Sequence, residues 1–291
     1  MKSLYLAILF AACGAWARPL RVAALHSVLA ECASQIGGDQ VTVRSLVPAG
    51  SDPHTFNPSP EDAASVVDAD LVLVSGFDLE PSFERLVANS GTKAMVLSAS
   101  DFIKDPLRSA QDDGVLDPHW WNSIGNVRRV AAAVGAALIR LRPASAEVFR
   151  TRMAAYDARL ATLAAWADQE VAKLPERRRI LVTSHDAFAY LARDYDFRIE
   201  PLLGLNPAAE PDPRALARLI DFIRLHHVRA VFADNTESPK LLATMLQESG
   251  ARSGGVLYAD GLGPVGSGAA TVEQMFRHNL TTIVDALDGR K

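Results

Sequence analysis

Residues 144–174 read ASAEVFRTRMAAYDARLATLAAWADQEVAKL, a run without glycine or proline that lies between Pro143 and Pro175. A run of this length, rich in Ala, Leu, Arg and Glu, predicts one helix of roughly 45 Å at about 1.5 Å per residue. That is longer than a single small domain needs. We therefore expect a rigid strut between two halves that move little relative to each other. The alternative is two shorter helices with a break between them.

Short apolar segments alternate with helical patterns on both sides of this run. Before it, the strand-like segments are Leu20–Leu25, Val41–Val47, Leu71–Val74 and Ala94–Leu97, and the helical ones are Val28–Ile36, Glu61–Val67 and Pro81–Ala88. After it, the strand-like segments are Ile180–Thr183, Phe197–Leu202, Ala230–Phe232 and Val256–Tyr258, and the helical ones are Ala187–Arg193, Pro213–Leu225, Pro239–Ser249 and Thr271–Leu287. Such alternation is typical of parallel sheets covered by helices on both faces. The sequence predicts an α/β fold with two parallel-sheet lobes, residues 18–143 and 175–291, joined by the backbone helix 144–174.

The first seventeen residues have the organisation of a secretory signal peptide. Lys2 is followed by the apolar stretch Leu4–Ala12, and Ala15-Trp16-Ala17 has the small-x-small form of a cleavage site. The alternative is a buried N-terminal helix. Cys13 lies in a segment that resembles a bacterial lipobox, although Phe10 replaces the usual aliphatic residue. We expect a periplasmic protein that is cleaved after Ala17, with a lipid anchor at Cys13 as the alternative.

The composition excludes several classes of protein. Apolar residues make up 49% of the chain and charged residues 22%, as in soluble globular proteins. The net charge of −4 gives no basic surface for nucleic acid. After Ala17 the sequence contains one cysteine, Cys32, so an internal disulfide is not expected.

Three of the seven histidines occur in related contexts. His54 and His119 each end an Asp-Pro-His tripeptide, and His185 follows the predicted strand Ile180–Thr183. Asp260 follows the predicted strand Val256–Tyr258 in the same way. Open α/β sheets bind ligands at the carboxyl ends of their strands. Three imidazoles and a carboxylate are a ligand set for a divalent transition metal.

The spacing of these four residues predicts where such a site lies. Successive members are 65, 66 and 75 residues apart, which excludes a local zinc-finger arrangement. Two come from each half of the chain, so the site is expected between the lobes. For the remaining histidines we prefer structural roles: His26, His226, His227 and His278.

Other residues around the histidines are open to two interpretations. Asp52 and Asp117 either accept a hydrogen bond from an imidazole N–H or cap the loop in which they lie. Trp120 and Trp121 are expected to form a wall of the site and to bind nothing themselves.

Five motifs in order resemble those of the metal-binding solute-binding proteins of zinc/manganese ABC transporters. They are DPHTFNPSP (52–60), DPHWW (117–121), SHDAFAYLARDYDF (184–197), SPK (238–240) and YADGLG (258–263). The resemblance implies that His54, His119, His185 and Asp260 are the metal ligands. It also implies a monomeric carrier that delivers a divalent metal to a membrane permease and is not an enzyme.

The sequence departs from the family pattern in two places. Segment 106–115 is short and lacks the histidines found before the second ligand of many zinc-uptake members. Asp234 occupies a position where the family tends to have Glu, so the role of this residue stays open.

Three histidines favour Zn²⁺ as the transported ion. Mn²⁺ and Fe²⁺ are the alternatives, and Mn²⁺ would call for a higher coordination number, for example through a bidentate Asp260. An exported zinc-dependent hydrolase with an open fourth position, with Asp186 or Glu237 as its base, is the alternative from another class. A metal-dependent surface adhesin would share the same site and differ in its partner.

Overall fold

The computed structural model describes residues 18–109, 111–208, 212–236 and 239–289, with the backbone alone at 239–242. The predicted signal peptide, with Cys13, lies outside these ranges, as do Glu237 and Ser238. None of the helices within them combines the length and the apolar character that crossing a bilayer requires.

The first half of the chain forms a four-stranded sheet with the order β2-β1-β3-β4, in which neighbouring strands are parallel. Its strands are β1 Leu20–Ala24, β2 Val41–Ser45, β3 Leu71–Val74 and β4 Met95–Ser98. Its helices are α1 Ser27–Gly37, α2 Pro60–Val67, α3 Pro81–Asn89 and α4 Ile124–Leu141. Helix α4 was not predicted from the sequence.

The long helix α5, Ala146–Ala172, leads to a second four-stranded parallel sheet with the order β6-β5-β7-β8. Its strands are β5 Ile180–His185, β6 Arg198–Leu203, β7 Ala230–Asp234 and β8 Arg252–Leu257. Its helices are α6 Ala189–Tyr195, α7 Pro213–Leu225, α8 Pro239–Ser249 and α9 Val272–Asp288. The predicted α/β fold with two parallel sheets is confirmed.

The helix α5 is continuous over 27 residues, or about 40 Å. The prediction of a single long helix is confirmed, and the alternative of two shorter helices is wrong. The helix is shorter than the predicted run at both ends. Pro143 begins a separate 3₁₀ turn that extends to Ser145. At the other end, Leu174 precedes Pro175, whose ring disfavours a helical conformation in the residue before it.

Helix α5 contacts both lobes. It packs against α1 and α4 of the first lobe and against α9 of the second. The side chains of Tyr156, Leu160 and Leu163 are buried in a hydrophobic core that includes residues of both sheets. The two lobes therefore share one apolar core and are not joined by a flexible linker.

Polar contacts strengthen the same junction. Arg159 of α5 donates hydrogen bonds to Gln35 of α1 at 2.6 Å and to Glu273 of α9 at 3.2 Å. The buried carboxylate of Glu31 accepts a hydrogen bond from the Val272 backbone N–H at 2.6 Å, in the first turn of α9. A carboxylate is favourable there because the amide groups of a helix N-terminus lack partners within the helix.

Strand β8 begins earlier than the sequence indicates. The prediction Val256–Tyr258 is wrong at both ends, because the strand is Arg252–Leu257 and includes two glycines. Gly254 lies so close to the Phe232 ring that a Cβ atom would be 2.4 Å from a ring carbon, and Gly255 has φ +112°. The register with β7 also shifts at this point. The β8 backbone thus approaches β7 where a side chain would not fit.

We expect the α5 junction to dominate stability. Replacing the fully buried Leu160 by Ala should lower the free energy of unfolding by about 2–5 kcal/mol, because it leaves a cavity in the shared core. The same change at Leu225, which is 74% exposed, should cost less than about 0.5 kcal/mol. Denaturant unfolding of the metal-free protein measures both values. Equal losses in the two variants would contradict this account of the core.

Candidate metal centre

The structure brings His54, His119, His185 and Asp260 together. His54 lies on the loop between β2 and α2, and His119 lies on the long connection between β4 and α4. The sequence suggested that His185 follows strand β5, but it is the last residue of that strand. Asp260 lies three residues beyond β8. One ligand atom from each residue lies within 4.8 Å of those of the other three. The loops that supply them come from both lobes.

The distances between these atoms fit a small ion at their centre. Asp260 Oδ1 is 3.6 Å from His54 Nε2, 3.5 Å from His119 Nε2 and 3.3 Å from His185 Nε2. The Nε2 atoms of His54 and His119 are 3.1 Å apart. Four ligands placed tetrahedrally at about 2.0–2.1 Å from a zinc ion would be separated by about 3.3–3.4 Å.

Two carboxylates orient two of the imidazoles. The Nδ1–H of His119 donates to Asp117 at 2.8 Å, and that of His185 donates to Asp234 at 2.5 Å. With the proton on Nδ1, the lone pair of each ring is on Nε2, the atom that faces Asp260. Such a contact fixes the tautomer and the ring orientation and makes the coordinating nitrogen more basic.

The two Asp-Pro-His loops differ in the use of their aspartates. Asp117 also accepts the His119 backbone N–H at 2.9 Å, so it both caps its loop and holds the imidazole. Asp52 accepts the His54 backbone N–H at 2.7 Å and the Thr55 hydroxyl at 3.1 Å. Asp52 therefore caps its loop, whereas Asp117 does both of the things that the sequence left open: it caps its loop and accepts a hydrogen bond from an imidazole N–H.

The surroundings of Asp260 hold its carboxylate in one orientation. The Thr236 hydroxyl donates to Oδ2 at 3.2 Å. The other oxygen, Oδ1, is buried and has no hydrogen-bond partner among the described residues. His26 donates from Nε2 to the Asp260 carbonyl at 2.8 Å, while its Nδ1 accepts the Val28 N–H at the start of α1. His26 therefore supports the Asp260 backbone.

Aromatic rings form one wall of the site. Trp121 lies edge-on to His119 with ring centroids 5.3 Å apart, and its indole N–H donates to the Ala259 carbonyl at 2.8 Å. Trp120 packs against Trp121 and donates to the Ser75 hydroxyl. Both tryptophans are fully buried, as expected of a wall.

Burial and charge act in opposite directions on the histidines. Burial lowers the pKa of His54 and lowers that of His26 to about 4. Burial also disfavours the charged form of His119, but its hydrogen bond to Asp117 and the nearby Asp260 carboxylate raise its pKa to about 9. In the same way, the negative charges of Asp260 and Asp234 hold the pKa of His185 well above its usual range despite burial.

The pKa of Asp260 is held well below its ordinary value, because the three histidines outweigh the effect of burial. Without a metal, the site therefore contains an ionised carboxylate that faces protonated imidazoles. A divalent cation would take the place of those protons.

From the sequence, His26 was expected to cap its loop or to support a ligand, Thr236 was missed and Asp234 was left open. Thr236 was not singled out, and the contact of His26 with the Asp260 carbonyl was not foreseen. Asp234 was left without a role, and the structure places it against His185 Nδ1. The contact of Asp234 with His185 could have been predicted. Asp234 is the last residue of β7, His185 is the last residue of β5, and the two strands are neighbours in the sheet. For the SPK motif, Ser238 lies outside the described residues.

Comparisons with known proteins agree with this architecture. The chain matches the profile of the family ZnuA, the periplasmic zinc-uptake complex component A, over residues 22–286. It is 34% identical over 274 residues to the manganese-binding lipoprotein MntA of Bacillus subtilis, covering 92% of this chain and 90% of MntA. It is 31% identical over 253 residues to the iron-binding protein YfeA of Yersinia pestis, covering 86% of this chain and 81% of YfeA.

A solved structure is similar over nearly the whole fold. The periplasmic zinc-binding protein TroA from Treponema pallidum superposes with a TM-score of 0.87 at 28% identity. The match covers 92% of this chain and 99% of TroA.

The raised pKa values predict a proton-linked affinity. The Nε2 protons of His119 and His185 must leave before a metal binds, so affinity should keep rising with pH at least to the His119 pKa of about 9. His54, with its lowered pKa, is already neutral near pH 7 and adds nothing there. Chelator-buffered titrations from pH 6 to 9.5 should give a slope of about one to two decades per pH unit. A plateau that begins near pH 7, as for ordinary histidines, would contradict the raised pKa values.

The Asp234 contact predicts a loss of affinity without a change of ligand. Asp234→Asn removes the charge that makes His185 basic, and metal affinity should fall about 10- to 100-fold. Asp68→Asn, a surface change outside the site, is the matched control and should bind as the wild type does. Isothermal titration with Zn²⁺ measures both variants. Wild-type affinity in Asp234→Asn would show that His185 does not depend on this carboxylate.

Proposed function

The chain belongs to the family of periplasmic zinc-uptake complex component A, and we propose that it captures one divalent metal ion, Zn²⁺, between its lobes. Members of this family are solute-binding proteins of ABC transporters and not enzymes. In the proposal, His54, His119, His185 and Asp260 are the ligands, and the bound ion is passed to a membrane permease.

One observation carries the proposal. Asp260 Oδ1 is buried, has no hydrogen-bond partner among the described residues and lies within 3.6 Å of three imidazole Nε2 atoms. A buried carboxylate oxygen without a partner is costly unless a charge or a donor is supplied. Protonated imidazoles supply that charge in the metal-free site, and a divalent cation bound by all four atoms would take their place.

The geometry supports zinc over manganese. Thr236 donates to Asp260 Oδ2, which leaves Oδ1 alone to face the imidazoles. A monodentate Asp260 and three histidines give four ligands, the number that zinc prefers. Zinc also lies above manganese and ferrous iron in affinity for nitrogen and oxygen ligands.

Manganese is the second candidate, and a specific observation favours it. MntA of Bacillus subtilis binds manganese, as its name states, and matches this chain along most of its length. A rotation of Asp260 away from Thr236 would allow bidentate binding and a higher coordination number. Iron, which YfeA is named for, is the third candidate.

The chemistry of a hydrolase has little support. A fourth ligand at Asp260 would fill the position that a zinc enzyme keeps open for water. Asp186, one of the two bases considered, accepts a hydrogen bond from the Ser109 hydroxyl at 3.2 Å. The other, Glu237, lies outside the described residues.

The chain acts outside the cytoplasm, as its family does. We further propose that residues 1–17 are a signal peptide cleaved after Ala17 and that the mature protein is a periplasmic monomer. MntA is a lipoprotein by name, which supports the alternative of a lipid anchor at Cys13. A lipid anchor would be consistent with delivery of the metal to a permease and also with a role as a surface adhesin.

The first experiment is a competitive titration of chelator-stripped protein with Zn²⁺ and Mn²⁺. We expect one tight zinc site that excess Mn²⁺ does not displace and that His185→Ala and Asp260→Ala both weaken by at least about a hundredfold. If the protein instead retained Mn²⁺ tightly in the presence of Zn²⁺, manganese would be the transported ion. Unchanged binding in both variants would show that the ligand set is wrong.

The Thr236 contact gives a separate test of metal choice. Thr236→Val keeps the shape of the side chain and removes the donor that holds Asp260 Oδ2. The ratio of zinc affinity to manganese affinity should fall by about tenfold, because the freed oxygen can join the coordination of the larger ion. Thr162→Val, on the exposed side of α5, is the control. An unchanged ratio would mean that Thr236 does not set the denticity of Asp260.

A further inference from the structure

The four proposed ligands are not equally accessible. The side chains of His119 and His185 are 0% exposed and that of Asp260 is 1% exposed, whereas His54 is 9% exposed. An ion that enters from solvent would therefore meet His54 first, because the other three side chains are buried behind it.

A surface cavity of about 300 Å³ adjoins His54. Its walls come from both lobes and are mostly apolar, with Phe77, Leu79, Val115, Leu116 and Leu205 among them. The polar side chains that line it are His54, Asp78 and Asn206. Among the described lining residues there is no lysine or arginine, so Asp78 supplies the sole formal charge of the lining.

The loop that carries Asp78 has a costly backbone conformation. Gly76, Phe77 and Asp78 have φ values of +82°, +55° and +54° in succession. A left-handed conformation is uncommon for residues other than glycine and is an outlier for an aromatic residue. A Cβ at position 76 would be 2.2 Å from the Ser100 hydroxyl. The loop therefore maintains a disfavoured conformation, and that conformation places Asp78 on the cavity wall.

We propose that this cavity is the portal through which the metal ion reaches and leaves the site, and that Asp78 is the carboxylate that first captures it. The inference rests on the proposed metal-binding function. An ion held by Asp78 exchanges its hydration shell for His54 and then for the three buried ligands.

Electrostatics explains why one carboxylate is enough. Apolar walls of low dielectric concentrate the field of a single charge along the cavity and raise the local concentration of cations. Glu84 of α3 lies in the field of the same carboxylate, since burial and the Asp78 charge both raise the pKa of Glu84. The exposed carboxylate of Asp78 thus gives the cavity lining a negative charge, as capture of a cation would require.

The test is stopped-flow mixing of metal-free protein with Zn²⁺ and with Mn²⁺, followed by the fluorescence of the tryptophans beside His119. Dissociation is measured by mixing the loaded protein with excess chelator. Asp78→Asn removes the charge and retains a side chain that tolerates the left-handed conformation. At low ionic strength we expect association and dissociation both to slow by about fivefold, while the dissociation constant changes by less than about twofold. The difference should shrink at about 0.5 M salt.

The matched control is Asp196→Asn. Asp196 has φ +56°, is exposed and lies before the amino end of β6, on the opposite edge of the sheet from the site. The Asp196→Asn variant removes the same charge from a residue with the same left-handed backbone conformation, and it should leave the association and dissociation rates unchanged.

A steric pair of variants tests the portal without altering charge. Val115→Trp places a bulky ring in the cavity lining and should slow both rates by about tenfold or more, with affinity again little changed. Val96→Trp on strand β4 is its control, because the two valines are 50% and 48% exposed. Unchanged rates in both Asp78→Asn and Val115→Trp would overturn the portal. Absence of any metal binding in the wild type would instead overturn the proposed function.

Discussion

The attachment of both sheets to helix α5 is the constraint on which the metal centre depends. Neither lobe contains all four of the proposed ligands, so they come together only while the carboxyl ends of the two sheets face each other. The shared apolar core fixes that arrangement, and Arg159 connects α5 to α1 and α9. Glu31 adds a direct bond from α1 to the first turn of α9. A shift of 1 Å at this junction would move Asp260 Oδ1 away from the Nε2 atoms of His54 and His119, which now lie 3.6 and 3.5 Å from it.

The supporting carboxylates reverse the sign of the net charge at the site. A divalent cation with Asp260 alone leaves a net charge of +1 in a buried region. The carboxylates of Asp117 and Asp234, both buried, change the total to −1. The metal-free site meets the same requirement with protons, as the raised pKa values of His119 and His185 indicate. Protons and metal thus compete for one set of lone pairs.

Much of the fold and the set of four site residues could be predicted from the sequence, because both are expressed in local patterns. Pro143 and Pro175 bound a run without helix breakers, and the two Asp-Pro-His tripeptides stand outside any helical or strand pattern. The start of β8 could not be predicted, because Gly254 and Gly255 reflect contact with Phe232 on another strand. Helix α4 was missed for a similar reason. Its Gly135 lowers helix propensity but lets Met153 of α5 approach closely.

The supporting residues of the site illustrate the same limit. His26 resembles any residue after a strand, and only the tertiary structure brings its Nε2 to the Asp260 carbonyl, 234 positions away. Thr236 and Asp234 lie in one short segment, yet they contact two different proposed ligands, Asp260 and His185. Single-sequence patterns report periodicity along the chain, whereas these contacts join strands that are distant in sequence.

A rigid frame also restricts how an ion is released. Wide opening of the lobes would break the core around Leu160 and the hydrogen bonds of Arg159, so a local movement is the less costly route. The loop of His54 is the element best placed to move, since its ligand is the most exposed of the four. Its attachments to the second lobe are few: the Gly50 N–H donates to the Leu262 carbonyl at 2.7 Å, and the Asn235 side chain donates to the Gly50 carbonyl at 3.4 Å. Displacing this loop removes one of four ligands while the other three stay fixed by Asp117, Asp234 and Thr236. A small displacement of this loop beside the proposed portal would therefore allow exchange while the buried side chains keep their arrangement.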